Sequence, residues 1–180
     1  MAPVSRETVA RLDRYVETLA RWSKAKNLVG PQTLARIWTR HIADSVQAQA
    51  CLPKARRWAD LGSGAGLPGL VIGILLADEA GASVDLVESN GRKCGIEDYT
   101  ARSAKGIEAV SARALAPLDR LLALAYPLLA AGAIGVFHKG QDVERELTDA
   151  SRCWTFRHEL VPSRTQSGAA IVIVRDCVAR

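Results

Sequence analysis

The residues best able to do chemistry lie in one segment, Asp60-Leu61-Gly62-Ser63-Gly64-Ala65-Gly66-Leu67-Pro68-Gly69. A short apolar run, Trp58-Ala59-Asp60-Leu61, leads straight into the glycines. An apolar helix is predicted from Pro68, a residue suited to the first helical position. Glycines let a backbone approach a ligand with no Cβ in the way, and a helix N-terminus offers free N–H groups. This is the pattern of the first βα turn of a nucleotide-binding sheet. Glu88 ends the next predicted strand, where it could take the hydroxyl pair of a ribose or be an ordinary strand-end carboxylate. Two ligand classes compete for such a turn. Gly64-x-Gly66-x-x-Gly69 matches the dinucleotide pattern, a weak match by itself. The fuller pattern puts an acid, Asp60, in the strand before the first glycine. A carboxylate there is poorly placed beside a pyrophosphate but well placed near the ammonium and sulfonium of S-adenosylmethionine.

These residues need a frame to hold them, and composition bounds it. The chain has 180 residues, 48% hydrophobic and 24% charged, enough for one cored domain and far too apolar for a disordered chain. The longest apolar stretch, 121–137, is broken by Pro127, Gly132 and Gly135, and the first residues lack the apolar core of a secretory signal. A cytoplasmic protein with no membrane partner is expected. The four cysteines, Cys51, Cys94, Cys153 and Cys177, form no Cys-x-x-Cys and no metal spacing with the three histidines. Reduced, partly buried thiols and no metal site are expected. Residues 1–57 hold 11 Lys+Arg against 4 Asp+Glu, whereas residues 58–180 hold 13 against 15. The whole basic excess therefore lies in the first third, which hints at a polyanionic partner.

The elements follow from periodicity. Leu12, Val16, Leu19 and Trp22 make one helical stripe, and a second helix is predicted over about 32–50 with Leu34, Ile37, Trp38, Ile42 and Val46 on a broad face. The segment Asn27-Leu28-Val29-Gly30-Pro31 breaks them apart. Strands are predicted at 58–61, 83–88, 107–112 and 133–137, with helices at 68–77, 115–129 and 142–151 between and after them. Runs at about 154–160 and 169–175 read as a terminal antiparallel hairpin. The sum is a basic helical region, 1–56, ahead of an α/β domain, 57–180, with a mostly parallel sheet and an antiparallel edge. One segment does not fit. Only seven residues separate Glu88 from Ile96, whereas a right-handed βαβ crossover takes roughly 30 in all. Either this sheet lacks a unit, or the sequence omits a segment near Cys94-Gly95.

His41, Asp44 and Ser45 share one helical face. A nucleophilic triad strung along one helix cannot aim its serine. The group is either a hydrogen-bonded cluster joining the second helix to the carboxyl edge of the sheet, or it acts directly at the site. Lys139, just past a strand end, could hold a phosphate or a target base, or simply be exposed.

Taken together, the blocks resemble the RsmG (GidB) family, bacterial methyltransferases acting on N7 of a guanine in 16S ribosomal RNA. Trp22-Ser23-Lys24-Ala25-Lys26-Asn27-Leu28 is similar to the family's W-N-K-x-x-N-L, and Arg40-His41-Ile42-Ala43-Asp44-Ser45 to its R-H-I-x-D-S. The glycine segment resembles D-x-G-(S/T)-G-x-G-L-P-G. Val87-Glu88-Ser89, with trailing Arg92-Lys93, resembles the acidic strand end. Ala112-Arg113-Ala114 and His138-Lys139-Gly140 resemble two later elements. The departure is at Cys94-Gly95, where about one helix and one strand of the family's pattern are missing. Such a sheet would expose a long unpaired edge and open the adenine pocket.

The resemblance implies a class I methyltransferase-like, Rossmann-type fold with S-adenosylmethionine as cofactor. It implies that Gly62, Gly64 and Leu67 approach the donor, Glu88 its ribose, and Ile96 and Glu97 its adenine side. Arg113 would line the donor site, though it also reads as an exposed strand-end arginine. Arg36, Arg40 and Lys139 are the candidate RNA contacts, and Lys139, His41 and Asp44 the candidate catalytic groups. The implied partner is 16S ribosomal RNA in the small subunit or its precursor, met by a monomer. Guanine N7 is an unprotonated acceptor on the major-groove edge, so attack on a sulfonium methyl needs alignment and no strong base. The sequence has no Asn-Pro-Pro-Tyr of amino-group methylation and no Pro-Cys nucleophile of pyrimidine C5 methylation. A small-molecule methyltransferase, or a non-catalytic module binding NAD or RNA, remains as the alternative.

Overall fold

The computed structural model describes residues 4–26, 30, 34–88, 95–103 and 105–180. The blocks at Asn27-Leu28, Gln32, Arg92-Lys93 and Cys94 lie outside the described residues.

Helix α1 (Arg6–Lys26) begins where the Ser5 hydroxyl accepts the Thr8 N–H at 3.1 Å, a side-chain cap on an otherwise orphan donor. Leu12 and Leu19 are buried and Val16 half-buried, as the stripe predicts. The stripe then ends on buried Ser23, four residues on from Leu19, leaving Trp22 54% exposed. The second helix also differs from expectation. A π-helical turn (Trp38–Ile42) precedes α2 (Ala43–Cys51). In a π turn residues five apart stack in line. Ile37 and Ile42 are accordingly both buried, and Trp38 is rotated outward.

The α/β part runs β1 (Arg57–Leu61), α3 (Gly69–Leu75), β2 (Ser83–Val87), α4 (Ile96–Arg102), β3 (Ala109–Arg113), α5 (Leu118–Ala130), β4 (Ile134–Lys139), α6 (Val143–Ala150), β5 (Trp154–Pro162) and β6 (Ala170–Ala179). One six-stranded sheet has the order β2-β1-β3-β4-β6-β5. The first four strands are parallel, and β6 is antiparallel to both its neighbours. Register aligns Leu61 with Val87 and Ala112, Arg113 with His138, and Lys139 with Ala170, so the carboxyl ends of β1 to β4 form one edge. One face is covered by an apolar cluster including Leu118, Leu122, Leu128 and Leu147 of α5 and α6. The other is covered through Ile72 and Val71 of α3, with Leu12, Leu19, Ile37 and Ile42 stacked outside them. Helices on both faces of a mostly parallel sheet make a doubly wound fold, the architecture expected.

The segment near Cys94, where a missing unit is expected, lies outside the described residues, next to the β2 side of the sheet. In the order 3-2-1-4-5-6 a third strand lies beyond the second. Among the described residues β2 pairs with β1 alone and is an outer strand. Only Val87 of its five residues is buried, and Leu86 is 43% exposed beside the 39%-exposed Leu70 of α3. Among the described residues no helix is long and apolar enough to cross a membrane.

Candidate functional site

Asp60 is fully buried at the end of β1. Its two oxygens are engaged inside the fold. Oδ1 accepts the Ser111 hydroxyl at 2.7 Å, and Oδ2 accepts the Gly69 N–H at 2.9 Å. The second bond satisfies a free donor at the start of α3 and fixes how the helix leaves the turn. Burial pushes the Asp60 carboxyl up to about 6, with the bonds from Ser111 and Gly69 pulling the other way. The acid expected beside the donor's positive charges is thus the brace beneath the turn.

Above it, the glycines do what their type allows. Gly62 has φ +69°, and a Cβ there would lie 2.6 Å from Leu115 Cδ1. The N–H groups of Gly62 and Ser63 donate to the Val87 carbonyl at 2.8 and 3.1 Å, which binds the turn to the end of β2. Gly64 has φ +48°, and its N–H donates to Glu88 Oε2 at 2.9 Å. The turn is also held from α1, where the half-buried Tyr15 hydroxyl donates to the Ala65 carbonyl at 2.9 Å. Leu67 donates its N–H to Ser63 at 3.2 Å and packs its side chain among Leu12, Leu19, Ile37, Ile42 and Val71. Ile96 is buried in the cluster that holds Leu61, Val87 and Ala112, and Glu97 is exposed in the first turn of α4. Tyr99 pins that short helix to the outer strand through Asp85 at 2.5 Å.

The ends of β3 and β4 gather the second group. Arg113 donates from Nη2 to the Arg40 carbonyl at 2.9 Å and faces Asp44 Oδ2 at 3.7 Å. Its side chain is 16% exposed, so the alternative of a solvated strand-end arginine does not hold. His138 Nε2 lies 3.2 Å from the Asp44 carbonyl oxygen. His41 has both ring nitrogens buried without a hydrogen-bond partner. Burial first, then the charges of Arg113 and Arg40, lowers it to about 4, which keeps the ring neutral at pH 7. Asp44 and Ser45 point to different partners. Ser45 donates to the His41 carbonyl at 2.7 Å, while Asp44 turns to Ser163 and Thr165. Asp44 ties α2 to the β5–β6 turn and to the strand ends at Arg113 and His138, and with His41 and Ser45 it makes no nucleophilic arrangement.

Lys139 is 8% exposed, and its Nζ contacts Glu146 at 2.6 Å and the Ala116 carbonyl at 2.7 Å. Glu146 Oε2 also accepts the Leu118 N–H at 2.7 Å, so the lysine secures the start of α5. Arg36 is exposed and Arg40 half-buried, and the Arg40 carbonyl meets Arg113 at the carboxyl edge. Cys51 is half-buried and Cys177 buried, whereas Cys153 is exposed.

Sequence reasoning missed Tyr15, Gln47, Ser111, Ser163 and Thr165. Ser163 and Thr165 lie between Pro162 and Gly168, where the composition signals only a turn. Ser111 lies in an apolar strand with nothing to mark its partner 51 residues away.

Residues 8–96 match the family described as GidB, rRNA small subunit methyltransferase G. The protein named ribosomal RNA small subunit methyltransferase G from Methylorubrum populi is 50% identical over 95% of this chain and 90% of its own length. Its namesake from Methylobacterium nodulans is 52% identical over the same shares. The namesake from Nitrobacter hamburgensis is 45% identical over 199 aligned positions that take in all of this 180-residue chain, so it carries internal positions without a counterpart here. On this likeness along nearly its whole length, the chain belongs to the ribosomal RNA small subunit methyltransferase G family.

Proposed function

We propose that this chain transfers a methyl group from S-adenosylmethionine to N7 of a guanine in small-subunit ribosomal RNA. The observation that carries the reading is the turn after β1, in a chain half identical to proteins named for that RNA. There, glycine backbone in the left-handed region is held between a buried acid and a strand-end carboxylate.

The residues fit the donor. A Cβ on Gly64 would meet nothing closer than the Gly62 oxygen at 3.9 Å, so this side of the turn is open to a ligand. Glu88 has a carboxylate on the same turn that can accept sugar hydroxyls, and Ile96 offers an apolar contact near the strand ends. Gly62, Gly64 and Leu67 would meet the donor with backbone, Glu88 the ribose, and Ile96 and Glu97 the adenine side. When bound, S-adenosylmethionine supplies an electrophilic methyl group on a sulfonium.

The chain's own residues then have to align, since N7 carries no proton to remove. Arg113 and Asp44 line the strand-end cavity as an opposed pair of charges. Neutral His41 adds no further cation beside Arg113, which suits a site where positive charge moves onto the base. Residues 1–56 form the RNA-facing part, with Arg36 and Arg40 as phosphate contacts, and 57–180 the donor-binding part. The protein works in the cytoplasm as a monomer on the small subunit or its precursor.

The test is transfer of tritiated methyl from the donor to naked 16S RNA and to 30S subunits lacking the modification, with strand scission at N7-methylguanine as the site readout. Label in RNA at a scission-sensitive guanine is expected. Label in neither substrate, or label only in small molecules of a cell extract, would remove the reading.

A further inference from the structure

The turn between β5 and β6 spans residues 163–169, longer than an antiparallel pair requires. Its side chains do not point idly into solvent. The Ser163 and Thr165 hydroxyls both reach Asp44 Oδ1, at 3.0 and 2.6 Å. Ser163 is itself fixed, because its oxygen accepts the N–H groups of Thr165 and Gln166 at 3.2 Å each. One turn along α2, Gln47 makes a separate clasp on the same hairpin. It donates to the Pro162 carbonyl at 2.7 Å and accepts the Arg164 N–H at 3.0 Å.

The clasp on Asp44 differs from the clasp on Gln47 in what lies behind it. Two hydroxyls on Oδ1 set the plane of the Asp44 carboxylate and turn Oδ2 toward Arg113, 3.7 Å away. Arg113 has little else to orient it, namely the Arg40 carbonyl at 2.9 Å on Nη2 and nothing on its buried Nη1. Asp44, Arg113 and Ser163 line one cavity of about 190 Å³ at the strand ends, together with His138, Lys139 and Gln166.

We propose that Ser163 and Thr165 are positioning residues for Arg113, acting through the Asp44 carboxylate, so that the β5–β6 turn belongs to the methyl-transfer site. This rests on the reading that the strand ends form that site. A hairpin merely glued to α2 would be equally served by either clasp. A positioning role requires the one on Asp44.

A double-mutant cycle separates the two. Thr165→Val should lower kcat for methyl transfer about tenfold in the parent and by less than about twofold in an Asp44→Asn background, because the effect runs through that carboxylate. Thr165→Ser should restore the parental rate. Gln47→Leu should lower the melting midpoint and leave kcat within about twofold. Independently of activity, ¹⁵N side-chain spectra should show Arg113 guanidinium protons exchanging faster in Thr165→Val and in Asp44→Asn alike. The proposal is overturned by unchanged Arg113 exchange in Thr165→Val, by the same loss of rate in the Asp44→Asn background, or by rate losses in Thr165→Val and Gln47→Leu that simply track the midpoint. If the parent methylates no RNA at all, the functional reading falls, and the guanidinium exchange still decides whether the turn holds Arg113.

Discussion

The two flanks of the sheet are built to different standards. On the β4–β6–β5 side, residues 170–174 of β6 are all buried, Phe137 of β4 is fully buried, and the hairpin is clasped to α2 at two points. On the β1–β2 side the outer strand has, among the described residues, one neighbouring strand, one buried residue of its own, and an apolar groove of about 300 Å³ against α3 lined by Leu70, Gly73, Ile74, Val84 and Leu86. The finished flank carries the network that orients Arg113, and the bare flank carries Glu88. The glycine turn can therefore keep its shape with β1 as the one strand paired to β2 among the described residues. It does so because Asp60, Ser111 and Gly69 brace the turn from inside the sheet, independent of what lies beyond β2.

The largest effect that can break this comparison is on packing. Phe137→Ala should cost about 3–5 kcal/mol, while Leu86→Ala at the half-exposed position should cost no more than about 1 kcal/mol. Urea unfolding checks both, and equal losses would mean that the outer strand is packed as tightly as the centre. The next effect is on ligand affinity at the bare flank. Glu88→Gln should weaken S-adenosylhomocysteine binding by at most about 1.5–3 kcal/mol in calorimetry, the range of a charge-assisted hydrogen bond. Unchanged affinity would remove Glu88 from the site.

Finishing the bare flank is the third test. A designed helix and strand, inserted between Cys94 and Gly95 so that the strand pairs with β2, should raise the melting midpoint by about 4 °C, or ~1–2 kcal/mol for a chain of this size. No gain would show that the edge needs no cover. The fourth acts on the basic first third. Arg36→Ala with Arg40→Ala should flatten the salt dependence of 16S RNA binding by up to about two units of slope and leave donor affinity alone. A parental slope would detach RNA binding from these residues.

The smallest effect is a pair of opposed pH dependences. Asp60, raised to about 6, contributes stability that is present below its ordinary carboxyl range and lost as pH rises through about 6. His41, lowered to about 4, contributes stability that is present above its ordinary value of 6.5 and lost as pH falls toward 4. Melting midpoints between pH 4 and 6.5 should climb more steeply than the parent's in Asp60→Asn and less steeply in His41→Gln. If the two variants keep the parental slope, neither group titrates as its surroundings dictate.

Much of this was legible in the chain. The glycine segment announced a strand, a turn and a helix because glycines permit that backbone most readily. Local spacing could not reveal the π turn. An α-helical reading puts Ile37, Trp38 and Ile42 on one broad face, and the π turn separates Trp38 from the two buried isoleucines. Nor could it show that Lys139 is paired with Glu146, or that Asp44 meets hydroxyls 119 and 121 residues away. Those contacts depend on where the hairpin lands, which the pairing of β6 with β4 decides.

The bond between Glu88 and Gly64 has a consequence for selectivity. A phosphate approaching the glycine turn would find the Gly64 N–H occupied by a carboxylate, and would meet like charge where a helix start otherwise welcomes anions. A sugar diol meets an acceptor at the same place. On the proposed reading the turn acts as a charge filter, turning away ligands that lead with a pyrophosphate and admitting those that lead with a ribose.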